Sequence, residues 1–146
     1  LKVSSTALIK ERILVIASDT SVVLGDRIFG KPQTAFEFNR IMTSLSGKVH
    51  EVITSVHVLE IVASEIKSEK ALSVVTNVKF KQLTQQEIDW YWLTGEPIDK
   101  AGGYGIQGRG ALFVESIEGS YSSVVGLPLK ETAELLTGYQ VDIWKI

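Results

Sequence analysis

The chain has 146 residues, 45% of them apolar and 22% charged, which is typical of one globular domain. The formal net charge of -2 offers no basic field for a nucleic-acid polymer, and the lack of cysteine excludes disulfides and thiolate metal sites. No apolar run approaches the roughly 20 residues of a membrane span, so we expect a cytoplasmic protein without a membrane partner.

The chain begins with the pattern of a strand, a hairpin and a helix. The apolar run at residues 13–17 predicts a central strand, buried on both faces, that stops at Ser18-Asp19-Thr20. Residues 22–29 predict a hairpin with its turn at Gly25-Asp26. Thr34 and Glu37 have the spacing of a capping box and predict a helix that ends at Gly47.

The middle of the chain predicts a long strand pair followed by a second helix. Residues 49–63 and 72–80 are rich in β-branched residues and are interpreted as an antiparallel pair, joined by the polar segment 64–70. Thr84 and Glu87 repeat the capping-box spacing, so a helix is expected from there to Gly95.

The last third of the chain combines a glycine-rich loop with short elements. Six of the twelve glycines lie between Gly95 and Gly110, which predicts a loop shaped by backbone conformation. A strand is expected at residues 111–114, and a helix with Pro128 in its first turn is expected to run to about Leu136. The predicted fold class is α/β, with a mixed twisted sheet and flanking helices.

Asp19 is the first candidate for chemistry. An acidic residue directly after a buried strand would lie at the carboxyl end of the sheet, where α/β proteins bind ligands. There it would hold Mg²⁺ or accept a proton from water. An Asp that caps a turn explains the same pattern, and the local sequence does not separate the two interpretations.

Two lysines and a glutamine extend this candidate site. Lys31 lies between Gly30 and Pro32, just before a predicted helix N-terminus, which suits a phosphate contact. In the glycine-rich loop Lys100 supplies charge, Tyr104 an aromatic face, and Gln107 an amide that can pair with a base edge. The glycines would permit close approach of the backbone to a ligand.

Other classes of site receive no support from the sequence. His50 and His57 are seven residues apart in a predicted strand, so they should lie on opposite faces and form no metal pair. Ser120 to Ser123 have no neighbouring histidine that would make a serine nucleophile.

The ordered set of motifs resembles the Maf family of nucleoside triphosphate pyrophosphatases, which is related in fold to the inosine-triphosphate pyrophosphatases. The matching segments cover nearly everything after Ile13. They are ASDT at 17–20, GKP at 30–32, LSGKVHEVITSV at 45–56, 79–84 with Glu87-Ile88, GEPIDKAGGYGIQG at 95–108, and GSYSSVVGLPL at 119–129.

The resemblance implies a nucleotide cleft in which a nucleoside triphosphate is hydrolysed to monophosphate and pyrophosphate. Asp19 is implied as proton acceptor and metal-site residue, with Mg²⁺ or Mn²⁺ as cofactor. Lys31 and Lys100 are implied to bind phosphates. Thr20 and Gln107 are implied to select the base and resemble the branch that acts on dTTP and UTP.

The resemblance also raises an alternative function. It implies a single domain over residues 1–146 that lacks the N-terminal strand and Ser-Pro-Arg-Arg loop of the family. Without that loop, a nucleotide-binding regulator of septum formation that does not turn over is the alternative to an enzyme. The resemblance also suggests a second copy of the chain as protein partner, in a homodimer.

Overall fold

A computed structural model describes residues 11–145; residues 1–10 and 146 of the predicted domain lie outside this range. The described chain forms a five-stranded sheet in the order β2-β1-β3-β4-β5, in which every neighbouring pair is antiparallel. The strands are β1 Arg12–Leu24, β2 Arg27–Phe29, β3 Val49–Val62, β4 Glu65–Phe80 and β5 Val114–Glu118. With its helices this is an α/β fold, as predicted, but the sheet is antiparallel throughout the described residues and not mixed, because tight turns join β1 to β2 and β3 to β4.

The first strand differs from the prediction in length and in burial. β1 continues through Asp19 to Leu24, because the ladder with β3 runs unbroken from Arg12↔Val62 to Val23↔Glu51. Backbone pairing does not depend on side-chain polarity, so Ser18-Asp19-Thr20 do not stop the strand. The run at 13–17 is not buried on both faces, since Ile13 and Val15 are 44% and 41% exposed.

The β3–β4 pair is confirmed, but its connection is shorter than predicted. The strands turn at Ala63 and Ser64 alone, because Val62 pairs with Glu65. The polar segment 64–70 therefore belongs largely to β4. Polar residues fit there because this stretch of the hairpin is mostly exposed to solvent on both faces.

The helices pack against one face of the sheet. Along β3 the even-numbered residues from His50 to Val58 are buried and most of their odd-numbered neighbours are exposed or half-buried. Phe38, Met42 and Leu45 of the first helix join the main core with sheet residues such as Val52 and Phe80. The helices are α1 Ala35–Leu45, α2 Gln85–Leu93, α3 Tyr121–Val125 and α4 Leu129–Gly138.

Local capping signals were reliable guides to the helix starts. The Thr34 hydroxyl caps α1 by accepting from the Glu37 N–H, and Thr84 and Glu87 complete a reciprocal capping box in α2.

The predicted strand at 111–114 is wrong: Arg109–Phe113 is a 3₁₀ helix, and β5 begins only at Val114. Pro128 stands at the N-cap of α4. In the described part of the chain, no helix has the length and apolar character needed to span a membrane.

Candidate functional site

A cleft of about 270 Å³ opens between β1, the loop after β2, the loop after α2 and the end of α3. Asp19, Thr20, Lys31 and Lys100 all line it, so the structure brings together four of the five predicted site residues. Gln107 lines an adjoining cavity of about 310 Å³. Lys100 lines both cavities, so Gln107 lies in the cavity next to the one that holds the other four predicted site residues.

Asp19 lies in the middle of a strand and not at a strand end. It pairs with Ser55 of β3 and is exposed to solvent. The predicted position at the carboxyl end of a sheet is wrong, because β1 continues for five residues beyond it. Asp19 also borders a hollow with Ser55 and Ser73, so its position lies at the boundary between the cleft and the open face of the sheet.

The residues on either side of Asp19 face the helices and are held by hydroxyl contacts. Ser18 Oγ donates to the Gly126 carbonyl at 2.7 Å. Thr20 Oγ1 lies 2.9 Å from Thr54 Oγ1, and Thr54 Oγ1 donates to the Ser123 carbonyl at 2.7 Å. These contacts fix the end of α3 against the cleft. Asp19 lies between these two residues and lines the cleft together with them.

The hydroxyl network was missed from the sequence. Thr54 and Thr76 are fully buried on the same face as the apolar core of β3 and β4. Thr76 Oγ1 accepts from the Ser120 N–H at 3.1 Å, so α3 is attached to the sheet at two threonines. The alternation of residues along each strand could have revealed these threonines, because they occupy inward-facing positions where a fully apolar core would have valine.

The two lysine-bearing loops are joined to each other. The Gly102 N–H donates to the Gly30 carbonyl at 3.0 Å, which ties the segment after Lys100 to the segment before Lys31. Lys100 Nζ contacts Asp99 Oδ1 at 2.6 Å. This hydrogen bond lowers the pKa of Asp99, and the charge of Lys31 adds to the effect. The positive charges of Lys31 and Lys100 therefore both act on the Asp99 carboxylate, which lines the cleft.

Glu96 organises the glycine-rich loop. Its carboxylate accepts hydrogen bonds from the Tyr91 hydroxyl at 2.7 Å, the Arg109 N–H at 3.0 Å and the Gly110 N–H at 3.1 Å. Burial opposes ionisation, but these three donors hold the pKa of Glu96 below its ordinary value. No role for Glu96 follows from the sequence, because its three donors come together only in the folded loop.

The glycines of this loop make close contact with the protein core. Gly102 and Gly103 have φ of +68° and +73°. A Cβ on Gly102 would lie 2.7 Å from a methyl group of Val22, and one on Gly103 would lie 3.0 Å from the Phe38 ring. These two glycines permit packing against the core, so the expected close approach to a ligand is wrong for them.

Tyr104 is part of the core and does not offer a free aromatic face. It is 6% exposed, and its ring packs edge-on against Phe80 with centroids 4.7 Å apart. The tyrosine hydroxyl lies 2.8 Å from His50 Nε2. Burial lowers the pKa of His50 to about 4, so this imidazole is neutral at neutral pH. The predicted stacking role of Tyr104 is therefore replaced by a structural one.

The two histidines occupy opposite faces of β3, as expected. His50 is buried, and His57 is exposed on the other face. Between residues 11 and 145, no group of three or more His, Cys, Asp or Glu residues forms a cage for a metal ion. The cleft does contain two carboxylates, those of Asp19 and Asp99.

Comparisons with known proteins identify the family of this chain. The family model described as Maf-like protein matches residues 1–139. A dTTP/UTP pyrophosphatase of Anaeromyxobacter dehalogenans is 54% identical over 123 residues, which are 84% of this chain and 63% of the relative. The dTTP/UTP pyrophosphatase of Idiomarina loihiensis is 48% identical over 128 residues, covering 88% and 65%.

A third relative, the dTTP/UTP pyrophosphatase of Vibrio parahaemolyticus, is 51% identical over 130 residues, which are 89% of this chain and 66% of that protein. The chain therefore spans about two thirds of the length of these relatives. The match of the family model over almost the whole chain agrees with the motif order and with the α/β architecture. This chain belongs to the Maf-like protein family.

Proposed function

We propose that the protein is a nucleoside triphosphate pyrophosphatase that releases pyrophosphate and leaves a nucleoside monophosphate. The observation that carries the proposal is the shared cleft of Asp19, Lys31 and Lys100. A carboxylate that can accept a proton and two ammonium groups that can bind phosphate suit this cleft to hydrolysis of a phosphoanhydride. The pyrophosphatase relatives support the reaction, and a cytoplasmic location would give access to nucleotide pools.

In the proposed reaction, Asp19 accepts a proton from the water that attacks the α-phosphorus. Its exposed position leaves the carboxylate accessible to water and to the substrate. Lys31 and Lys100 bind the β- and γ-phosphates and stabilise the charge that develops on the departing pyrophosphate. For Lys100 this requires that a phosphate oxygen replaces or joins Asp99 as its partner, since the two side chains are in contact without substrate.

The charge of the cleft supports a divalent cation as cofactor. Asp19 and Asp99 contribute two negative charges and Lys31 and Lys100 two positive charges, so the lining alone does not neutralise a triphosphate. Mg²⁺ commonly uses one or two carboxylates together with substrate phosphates and water, which fits this donor set. Asp19 would hold Mg²⁺ or Mn²⁺, and the bound ion would neutralise phosphate charge and lower the pKa of water.

We further propose dTTP and UTP as substrates, because the relatives carry these names. Gln107 is exposed beside Lys100, where its amide can reach the base of a nucleotide whose phosphates contact the lysines. Thr20 is assigned to base selection only through the family resemblance. Its hydroxyl already contacts Thr54, so any effect of Thr20 on the base would also involve that contact.

The test is pyrophosphate release from dTTP, UTP, CTP, GTP, methylated GTP and ITP with Mg²⁺ or Mn²⁺. We expect release from dTTP and UTP, and its loss in Asp19→Asn with the fold retained. The matched control is Asp26→Asn, which makes the same chemical change at an exposed hairpin turn outside the cleft. Near wild-type turnover in Asp19→Asn would refute the role of Asp19. Nucleotide binding without release from any substrate would favour the regulator.

The role of Gln107 is tested by Gln107→Ala. We expect the ratio of kcat/KM between pyrimidine and purine triphosphates to fall, because the amide contacts the base and not the phosphates. Gln85→Ala on the exposed start of α2 is the control. An equal loss of kcat/KM for every nucleotide would contradict this assignment.

A further inference from the structure

A second cavity, with a basic lining, lies beside the proposed active site. It has a volume of about 260 Å³ and is formed by β2, the loop that follows it and the first part of α1. Its charged residues are Arg27, Lys31, Glu37 and Arg40. We refer to it as the Arg27–Arg40 cavity.

The Arg27–Arg40 cavity has unneutralised positive charge. Within residues 11–145, none of Arg27, Lys31 and Arg40 forms an ion pair with an acidic side chain. The one carboxylate in the lining, Glu37, accepts the Gln33 N–H at 2.8 Å at the start of α1. Three cations and one carboxylate leave a local charge of about +2, which favours an anion.

The two guanidinium groups lie over aromatic rings. The Arg27 guanidinium carbon is 5.6 Å from the Phe29 ring centroid, and that of Arg40 is 5.9 Å from the Phe36 ring centroid. Each guanidinium group is within cation–π distance of its ring, and this contact leaves its N–H donors available to oxygen ligands. Planar guanidinium groups bind phosphate oxygens in pairs, so the chemistry of the lining points to a phosphate-type anion.

The lining does not suit a nucleobase. Besides its charged residues the cavity presents only Ile28, Phe29, Gly30, Pro32 and Ile41, with no side-chain amide or hydroxyl. The face of Phe29 is already covered by Arg27. A ligand of this cavity is therefore recognised through its phosphate oxygens alone.

Lys31 connects the two cavities. It lines both the cleft and the Arg27–Arg40 cavity, whereas Lys100 lines the cleft and not the Arg27–Arg40 cavity. We propose that the Arg27–Arg40 cavity is a second anion site that takes up inorganic pyrophosphate as it leaves the cleft past Lys31. The exit role rests on the proposed function, because that reaction is the source of the pyrophosphate.

The binding step is tested by titrating the chain with inorganic pyrophosphate in a calorimeter. We expect two binding events in the unsubstituted chain. Arg27→Gln with Arg40→Gln should weaken one event by roughly 10- to 100-fold, since hydrogen bonds to charged groups are lost. Lys100→Gln should weaken the other event. Lys67→Gln with Lys130→Gln removes the same charge outside both cavities and should leave both events unchanged.

The exit role is tested by kinetics on the same variants. Release of pyrophosphate follows the chemical step, so the arginine double variant should lower kcat and KM together and leave kcat/KM unchanged. Equal pyrophosphate binding by the arginine double variant and the Lys67/Lys130 control would overturn the site. An unchanged kcat would overturn the exit role. Arginine-dependent binding in a chain that hydrolyses no triphosphate would refute the proposed function and the exit role but support the anion site.

Discussion

Removing the Glu96 carboxylate should loosen the glycine-rich loop by an amount that the structure allows us to estimate. Glu96→Ala deletes the acceptor of three hydrogen bonds, from Tyr91, Arg109 and Gly110. A hydrogen bond to a charged group contributes about 1.5–3 kcal/mol when it is buried. Glu96 is half-buried, and the exposed Arg109 N–H can bond to water instead. We therefore expect the free energy of unfolding to fall by about 2–3 kcal/mol.

The pH dependence provides a second measure of the same network. The pKa of Glu96 lies below its ordinary value of 4.5, so the folded state favours the ionised carboxylate. This stabilisation is present above the unfolded pKa and is lost as the pH falls through the lower folded pKa. The difference in unfolding free energy between the unsubstituted chain and Glu96→Gln should therefore narrow as the pH falls below about 4.5.

The assay is urea denaturation followed by tryptophan fluorescence, since Trp90 and Trp92 lie in α2 next to this loop. Glu118→Ala is the matched control, because Glu118 is exposed and forms no ion pair within residues 11–145. A loss within about 0.5 kcal/mol of the control would refute the role of Glu96. A Glu96→Gln difference that stays constant through acid pH would refute its ionic character.

Two further predictions concern backbone conformation. Ser64→Gly should raise the melting temperature by about 2–5 °C, because glycine is less strained at a positive φ. Ala63 and Ser64, the two residues of the β3–β4 turn, have φ of +52° and +66°. An unchanged or lower melting temperature would contradict this prediction. Gly102→Ala should lower the free energy of unfolding by about 2–4 kcal/mol, because the new methyl group would collide with Val22. Gly95 has a φ of +74° and no atom within 4 Å of the position of a new methyl group, so Gly95→Ala should lower the free energy of unfolding by only about 1 kcal/mol. Equal costs in a denaturation experiment would show that the contact with Val22 is relieved without strain.

Features set by neighbouring residues were predictable from the sequence, and features set by distant partners were not. The starts of α1 and α2 follow from Thr34 and Thr84, whose hydroxyls act within three residues. The extent of β1 depends on pairing with β3, which is distant in the sequence, so the prediction that the strand ends at the polar residues around Asp19 is wrong. The same limitation applies to residues 64–70, whose polarity suggested a loop although β3 pairs with them.

The candidate site shows the same division. Residue type and motif order select Asp19, Lys31 and Lys100 as candidates, and these residues line one cleft. The sequence does not show that the Tyr104 ring packs against Phe80, or that its hydroxyl forms a hydrogen bond with His50. An aromatic residue among glycines suggests exposure, but its burial is decided by the sheet behind the loop.

This packing explains how a glycine-rich loop can hold the side chains proposed to bind the nucleotide in fixed positions. The loop is anchored to the sheet by Tyr104, to Val22 by Gly102, and to its own backbone by Glu96. Lys100 and Gln107 lie between these fixed points and are themselves partly or fully exposed. Because the backbone is fixed before a ligand arrives, less conformational entropy is lost on binding. Substitutions at the anchors should therefore reduce nucleotide affinity without removing any group proposed to contact the nucleotide.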